Sequence, residues 1–493
     1  MAQGKAEEAL AVLQPLADGP APDHPVLATC ATILKALDRP LEALPYNEEA
    51  ARRFPSSPVA WHNLAATLGD LGRGPAALAA VDKAFALGLD GAATWNVSAR
   101  AAVAAGDLDR AEQAYRESVR RAPADVDTAT EFANFVWMRR GDVAEADRVL
   151  DACFHGGGAP APLAIAKARL REVAGENEAA ANFLAAAAQR LPDDPGLLIV
   201  AAHAALETSR IGEAEALTRR ALAIAPERTD VLNQLVIVEL ASGRPEQALA
   251  AARRGLAIAP ENQSLLAWGA MAARQLGDPL YRELYDYERM VAAYTIETPP
   301  GWATLEAYLA DLAETLRPMH RYQRPPFQQS VRHGSQSLQP MVGSDAPALK
   351  AFFEAIEAPL HRHIASLGQG TDPLRRRSRG GYSIKGAWSI LLGTGGFHTD
   401  HFHPQGWLSC AFYVQTPQAA AAGRDHAGWI RFGQPPLALT PPIAAEHFVQ
   451  PRPGRLVVFP SYMWHGTVPF GTDEQRLTIS FDAAPAPLRP RGG

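Results

Sequence analysis

Glycine and proline recur through the first 280 residues of this chain at a spacing of 34, and no other feature limits its fold as tightly. Gly72, Gly106, Gly141, Gly175, Gly243 and Gly277 are separated by 34, 35, 34, 68 and 34 residues. Pro55, Pro123, Pro192, Pro226 and Pro260 are separated by 68, 69, 34 and 34. Glycine tolerates the left-handed turn that ends a helix, and proline cannot continue one. Between these marks the chain is rich in Ala, Leu, Arg and Glu with apolar residues at the helical period. One unit therefore reads as two helices joined at a glycine and closed near a proline. About eight such hairpins, stacked over residues 5–280, can bury a continuous core that no single hairpin could.

Other positions of the unit agree. Trp61 and Leu64 supply the large residues of a first helix, Trp95 takes the same place one unit later, and Ala77, Ala111, Ala214 and Ala248 are small where paired helix axes must approach. The unit resembles the tetratricopeptide repeat, and the stretch 124–157, ending in HGGGAP, fits it least. Such an array implies an α-solenoid whose groove holds an extended peptide or a partner helix. Support of the remaining chain, or dimerisation, is the alternative.

The repeat fades after Gly277. A bridging segment, YRELYDYERMVAAYTIETPPGW, contains the Pro299-Pro300 pair, and helices are predicted near 303–316 and over 346–367. From Gly381 the texture becomes β: YSIKGAWSILL, WLSCAFYVQTP, GWIRFG, GRLVVFP and RLTISFD are short runs rich in β-branched and aromatic residues. Runs of this kind predict an antiparallel sandwich or jelly roll. The expected organisation is a repeat array over 1–285, a helical support segment over 286–380 and a β core over 381–493, an α + β chain in two parts.

Charge narrows the function. Charged residues are 20% of the chain and the net charge is -6, which argues against a dedicated nucleic-acid binder. No run of 18 apolar residues and no leader-like apolar core at MAQGKAEEAL is visible, so no membrane role and a cytoplasmic location are expected. Cys30, Cys153 and Cys410 share no metal or disulfide spacing.

Ten of the fourteen histidines follow residue 285. The densest cluster, GGFHTDHFHPQGWL, places His398, Asp400, His401 and His403 within six residues at the junction of two predicted strands. His465 ends a later strand, and Arg476 begins the next one. Two ligands at i and i+2 plus one from a neighbouring strand can occupy one face of an octahedron and leave three positions open. Arginine presents a planar fork that matches a carboxylate and stays charged when buried.

Together these pieces resemble the double-stranded β-helix core of the Fe(II)- and 2-oxoglutarate-dependent oxygenases. The resemblance extends to bacterial members that join tetratricopeptide repeats to this core, through His401-Phe-His403-Pro-Gln-Gly-Trp-Leu-Ser409, Phe412-Tyr413-Val414, Pro453-Gly-Arg-Leu-Val-Val-Phe-Pro-Ser461, His465 and Arg476. Upstream, Gln329–Gln336 and Gly386–Ser389 also look like that group. The resemblance implies a hydroxylase that uses Fe(II), 2-oxoglutarate and O2, with Arg476 anchoring the distal carboxylate of 2-oxoglutarate and Ser409 and Tyr413 beside it. It leaves two ligand registers. His398 and Asp400 offer the usual His-x-Asp pair. His401 and His403 stand in better register, because Gly395 precedes His401 by six residues, as a glycine does in prolyl-4-hydroxylase-like members. His465 completes either set.

Trp388, Trp407 and Trp464 can line a pocket, although aromatics on strands are more often core. Leu374–Arg379 reads as a solvated basic loop or an anion site, Arg332 and Gln336 as pocket or loop residues, and Cys410 as an inert buried thiol. The expected function is hydroxylation of a protein or peptide held by the repeats. The alternatives are a catalytically inactive repeat scaffold, a small-molecule hydroxylase, or a three-histidine iron enzyme that dispenses with 2-oxoglutarate.

Overall fold

The computed structural model describes residues 2–322, 324–327, 329–423 and 425–488. From Ala2 to Leu276 the described chain is a succession of antiparallel helices. The glycines of the repeat lie between them in the left-handed region, with φ +73° at Gly72 and +69° at Gly243. The repeat continues at two positions where glycine is missing. Asp38 (φ +60°) and Ser209 (φ +61°) hold the same left-handed turn, 34 residues before Gly72 and before Gly243. The 68-residue gap in the glycine series thus conceals an ordinary hairpin. Ala77, Ala111, Ala214 and Ala248 are fully buried.

The chain forms two compact units. One runs to Val136 and adds Asp151–Gly158 and Ser337–Lys350; the other comprises Trp137–Leu150, Ala159–Gln336 and the chain from Ala351. The repeat over 124–157, the weakest in sequence, contributes to both.

In the first unit, the excursion 337–350 packs on the repeats. Arg73 donates to the Gly343 carbonyl at 3.2 Å, and Leu338 and Pro340 close a cavity of about 190 Å3 lined by Arg100, Tyr115, Glu131 and Phe135. A Cβ at Gly72 would lie 2.1 Å from the Pro340 carbonyl oxygen, so only glycine allows this approach.

The second unit carries the sheets. β1 (Ala292–Thr295), β2 (Val331–Gln336), β3 (Gly380–His398), β4 (Leu408–Gln415), β7 (Arg455–Pro460) and β9 (Arg476–Pro487) form one sheet in the order β1-β7-β4-β9-β3-β2. The short strands β5 (Ile430–Phe432), β6 (His447–Val449) and β8 (His465–Thr467) form a second, β6-β5-β8. All pairings are antiparallel. The Phe432 ring of β5 meets the Phe459 ring of β7 at 5.1 Å, so the two sheets share an aromatic core. This is the α-solenoid and antiparallel β architecture expected from sequence. Two strands lie where helix and loop were read: β1 in the bridging segment adds the sheet's edge by pairing with β7, and β2 covers the end of β3. The helix expected over 346–367 is two, Pro347–Ala355 and Glu357–Leu367. Pro359 sits in the first turn of the second, where a missing N–H breaks no bond.

The last complete repeat helix, Gln263–Leu276, is joined to the sheets by apolar and polar contacts. Trp268 meets Trp464 edge-on at 4.7 Å, and the Trp464 indole donates to the Ala267 carbonyl at 3.2 Å. Arg274 pairs with Glu446 at 2.9 Å, and the Trp464 backbone N–H donates to the Tyr285 hydroxyl at 2.9 Å.

Candidate metal centre and anion pocket

The backbone fixes the histidines first. His401 and His465 exchange both N–H···O bonds at 2.9 Å, and the His403 N–H donates to the Ser461 carbonyl at 2.8 Å. Along an extended strand, residues i and i+2 share a face. His401 and His403 therefore project together toward His465, with ring centroids 4.2–5.2 Å apart. One donor nitrogen from each lies within 4.8 Å of the others, spacing that a single ion can span.

Each ring is also held by its other nitrogen. Nδ1 of His401 meets the Thr399 carbonyl at 2.8 Å, Nδ1 of His465 the Met463 carbonyl at 2.9 Å, and Nδ1 of His403 the Asp482 carboxylate at 2.7 Å. These acceptors require N–H at Nδ1 and leave the Nε2 lone pairs for a metal. Burial, reinforced by the neighbouring imidazoles, holds His401 down to about 3 and His465 well below its usual value, so both are neutral ligands at physiological pH. Burial also pushes His403 down, but the charge and hydrogen bond of Asp482 outweigh it. Three imidazoles suit Fe(II), and the donor set fits that ion.

Asp400 falls out of phase with His401 and His403. Both its oxygens meet Arg431, at 2.9 and 2.6 Å, in a pair where Asp400 is 6% exposed. His398 lies one ring away from His401, with Nδ1 at 2.9 Å from the Ser330 hydroxyl. The His-x-Asp pair is thus not brought together around one point. Gly466 makes room for Asp400, whose Oδ1 would lie 2.4 Å from a Cβ there.

The histidines open into a cavity of about 510 Å3, a volume suited to small ligands. Gln329, Ser330, Gln336, Trp388, Asp482 and Arg476 line it. Arg476 opens β9 and is only 3% exposed. Its Nη1 donates to the Thr467 hydroxyl at 3.0 Å and the Gly428 carbonyl at 3.2 Å, and the guanidinium lies 4.9 Å from the centre of the Tyr413 ring. Arg476 Nε has no hydrogen-bond partner, nor does the buried Tyr413 hydroxyl. No carboxylate pairs with this arginine among the described residues. Burial lowers its pKa, and the site has the chemistry to receive an anion. Ser409, read as a cosubstrate contact, instead donates to Asp482 at 2.7 Å and meets Ser461 at 2.9 Å.

Asp482 escaped the sequence reading. It ends the apolar run RLTISFD, and only its register opposite Ser409 in the β4–β9 pairing turns it toward His403. Trp388 and Gln336 face the cavity, whereas Trp407 is core, its indole donating to the Leu374 carbonyl at 2.8 Å, and Trp464 packs on Trp268. Arg375, Arg376 and Arg377 form a short 3-10 turn rather than a solvated loop, bonded to Asp372, Pro260 and Gly406 respectively. Burial, aided by Asp482, raises the Cys410 thiol well above its usual value, which leaves it inert.

Residues 386–482 match the family described as "Putative 2OG-Fe(II) oxygenase". A search of curated proteins returned no match to the chain. Solved structures resemble its helical part. A tetratricopeptide repeat protein from Parabacteroides merdae is 12% identical, covering 50% of this chain and 98% of its own, with TM-score 0.35. The C-terminal part of a repeat-containing protein from Cytophaga hutchinsonii is 15% identical, covering 48% and 97%, with TM-score 0.35. PilW, a type IV pilus biogenesis factor whose source organism its description does not give, is 18% identical, covering 41% and 96%, with TM-score 0.31. No described helix is long and apolar enough to cross a membrane.

Proposed function

We propose that the chain is an Fe(II)- and 2-oxoglutarate-dependent hydroxylase in which His401, His403 and His465 hold the metal and Arg476 holds 2-oxoglutarate. One observation carries this reading: a three-histidine cluster and a buried arginine without a carboxylate partner line the same cavity. Bound at the histidines, Fe(II) would supply activation of O2, coupled to conversion of 2-oxoglutarate into succinate and CO2 as a substrate C–H becomes C–OH. The residues do the rest. The Nδ1 acceptors keep the three rings aimed, Arg476 would orient the cosubstrate by its distal carboxylate, and the core around Phe459 and Trp464 keeps the site's floor dry. The unpaired arginine also favours 2-oxoglutarate use over the three-histidine reading that dispenses with it. Succinate released from labelled 2-oxoglutarate, dependent on Fe(II) and lost in His465→Ala, tests the assignment. No such release with a metal-loaded chain would leave the scaffold reading in its place.

The substrate in this reading is a protein or peptide on the repeats. At the repeat positions of Arg100 and Phe135, the chain's own Leu338 and Pro340 are near neighbours. One and two repeats later the corresponding residues are Arg169 and His203. His203 pairs with Glu207 at 3.5 Å while the two side chains keep 48% and 44% of their surface exposed. Glu207 in turn feels the charge of Arg332, three residues beyond Gln329 at the cavity wall. A peptide along this polar path would reach the histidines. Charge reversal at Glu207 tests it. A raised KM for a peptide substrate with unchanged 2-oxoglutarate affinity supports the path, and an unchanged KM favours a small-molecule substrate.

A further inference from the structure

Three neutral imidazoles leave a divalent ion with its full charge, whereas two histidines and a carboxylate would cancel one unit. Asp400 is unavailable for that purpose, because Arg431 neutralises it. Asp482 is placed otherwise. It is 8% exposed, and among the described residues its only ion-pair partner is His403. One oxygen takes the His403 Nδ1–H at 2.7 Å and the other takes the Ser409 hydroxyl at 2.7 Å, with the Ser461 hydroxyl behind at 2.9 Å. Gly406 keeps the approach open, since a Cβ there would lie 2.2 Å from Ser461 Oγ and 3.5 Å from the Asp482 carboxyl carbon.

Packing does not require a carboxylate here. An amide of the same shape could accept the His403 N–H through its oxygen and donate to Ser409 through its nitrogen. Burying a charge in place of that amide is costly unless an opposite charge compensates it. The compensating charge has a natural position on the far nitrogen of the same imidazole. We infer that Asp482 is a positioning residue for His403 and supplies, through that ring, the negative charge that the ligand set itself lacks. The inference rests on the ligand reading above. It adds that the acidic member of the site acts from strand β9, one hydrogen bond behind the metal.

The full-length chain, stripped of metal and titrated anaerobically with Co(II), tests this. Asp482→Asn keeps both hydrogen bonds and removes the charge, so Co(II) affinity should fall about 10–100-fold. The visible absorption of the bound Co(II) should also shift, and the thermal midpoint of the metal-free protein should hold or rise. A structural carboxylate would move the midpoint and leave the spectrum alone. Asp482→Ala removes the acceptor as well and should weaken Co(II) at least as much, which decides the matter if the amide variant does not fold. Wild-type affinity and spectrum in either folded variant overturn the inference. His403→Ala separates the two levels: if it too binds Co(II) normally, the ligand assignment has failed, and if it alone loses Co(II), only the role of Asp482 has.

Discussion

Replacing Arg476 by methionine separates the binding role of this residue from any structural one. In the ligand-free protein the guanidinium is buried, keeps two hydrogen bonds through Nη1, and leaves Nε with none. It has no carboxylate to offset its desolvation, so methionine of similar reach should cost little stability and can raise the midpoint. For the cosubstrate the arithmetic runs the other way. Loss of a buried charged pair costs about 2–5 kcal/mol, and at about 1.4 kcal/mol per tenfold this weakens 2-oxoglutarate by about 30-fold to several thousand-fold. Isothermal titration of 2-oxoglutarate into Mn(II)-loaded wild type and Arg476→Met measures that change, with Mn(II) affinity as the internal control. A cosubstrate affinity within threefold of wild type would refute the argument. So would a stability loss of about 3–5 kcal/mol, the signature of a broken buried ion pair.

Asp400→Ala should keep metal binding but destabilise the fold by about 3 kcal/mol, because Arg431 loses its partner; loss of Co(II) affinity with an intact midpoint would restore the His-x-Asp register. Ser209→Gly should stabilise the array by about 1 kcal/mol, since the left-handed turn penalises a Cβ, and a lowered melting temperature would contradict the repeat alignment. Trp464→Ala should cost about 3–5 kcal/mol by emptying the contact with Trp268, read as a lower urea midpoint. Burial lowers His320 and His363 to about 4, so both fold uncharged and bind fewer protons than the unfolded chain. Their contribution is complete above about pH 6.5 and is lost as pH falls toward 4, up to roughly 3 kcal/mol each. Acid titration of stability should flatten over that window in the His363→Gln variant, and an unchanged slope would be inconsistent with a neutral buried ring.

The repeat architecture was legible because each hairpin announces itself with a turn residue at a fixed interval, and local chemistry suffices to read it. Even the gaps obey the rule, since Asp38 and Ser209 stand in the same left-handed turns. The β core was legible in its long strands and obscure in its short ones. β1, four residues at the end of a helical stretch, is defined only by its partner β7. At the site, His401, His403, His465 and Arg476 could be found because clustering and spacing survive in one dimension. Asp482 could not, since a lone acid at a strand end acquires meaning only from the register that sets it opposite Ser409. The same holds for Asp400, whose partner Arg431 is 31 residues away on another strand. Three-dimensional pairing takes it away from the metal site that its sequence neighbourhood suggested.

The most direct test of the account is an anaerobic crystal of the full chain soaked with Mn(II) and 2-oxoglutarate, read by anomalous scattering. The account predicts one Mn(II) bonded to Nε2 of His401, His403 and His465 at about 2.0–2.3 Å, with Asp482 on Nδ1 of His403 and the distal carboxylate of 2-oxoglutarate against Arg476. Manganese between His398 and Asp400, or 2-oxoglutarate bound away from Arg476, would contradict it.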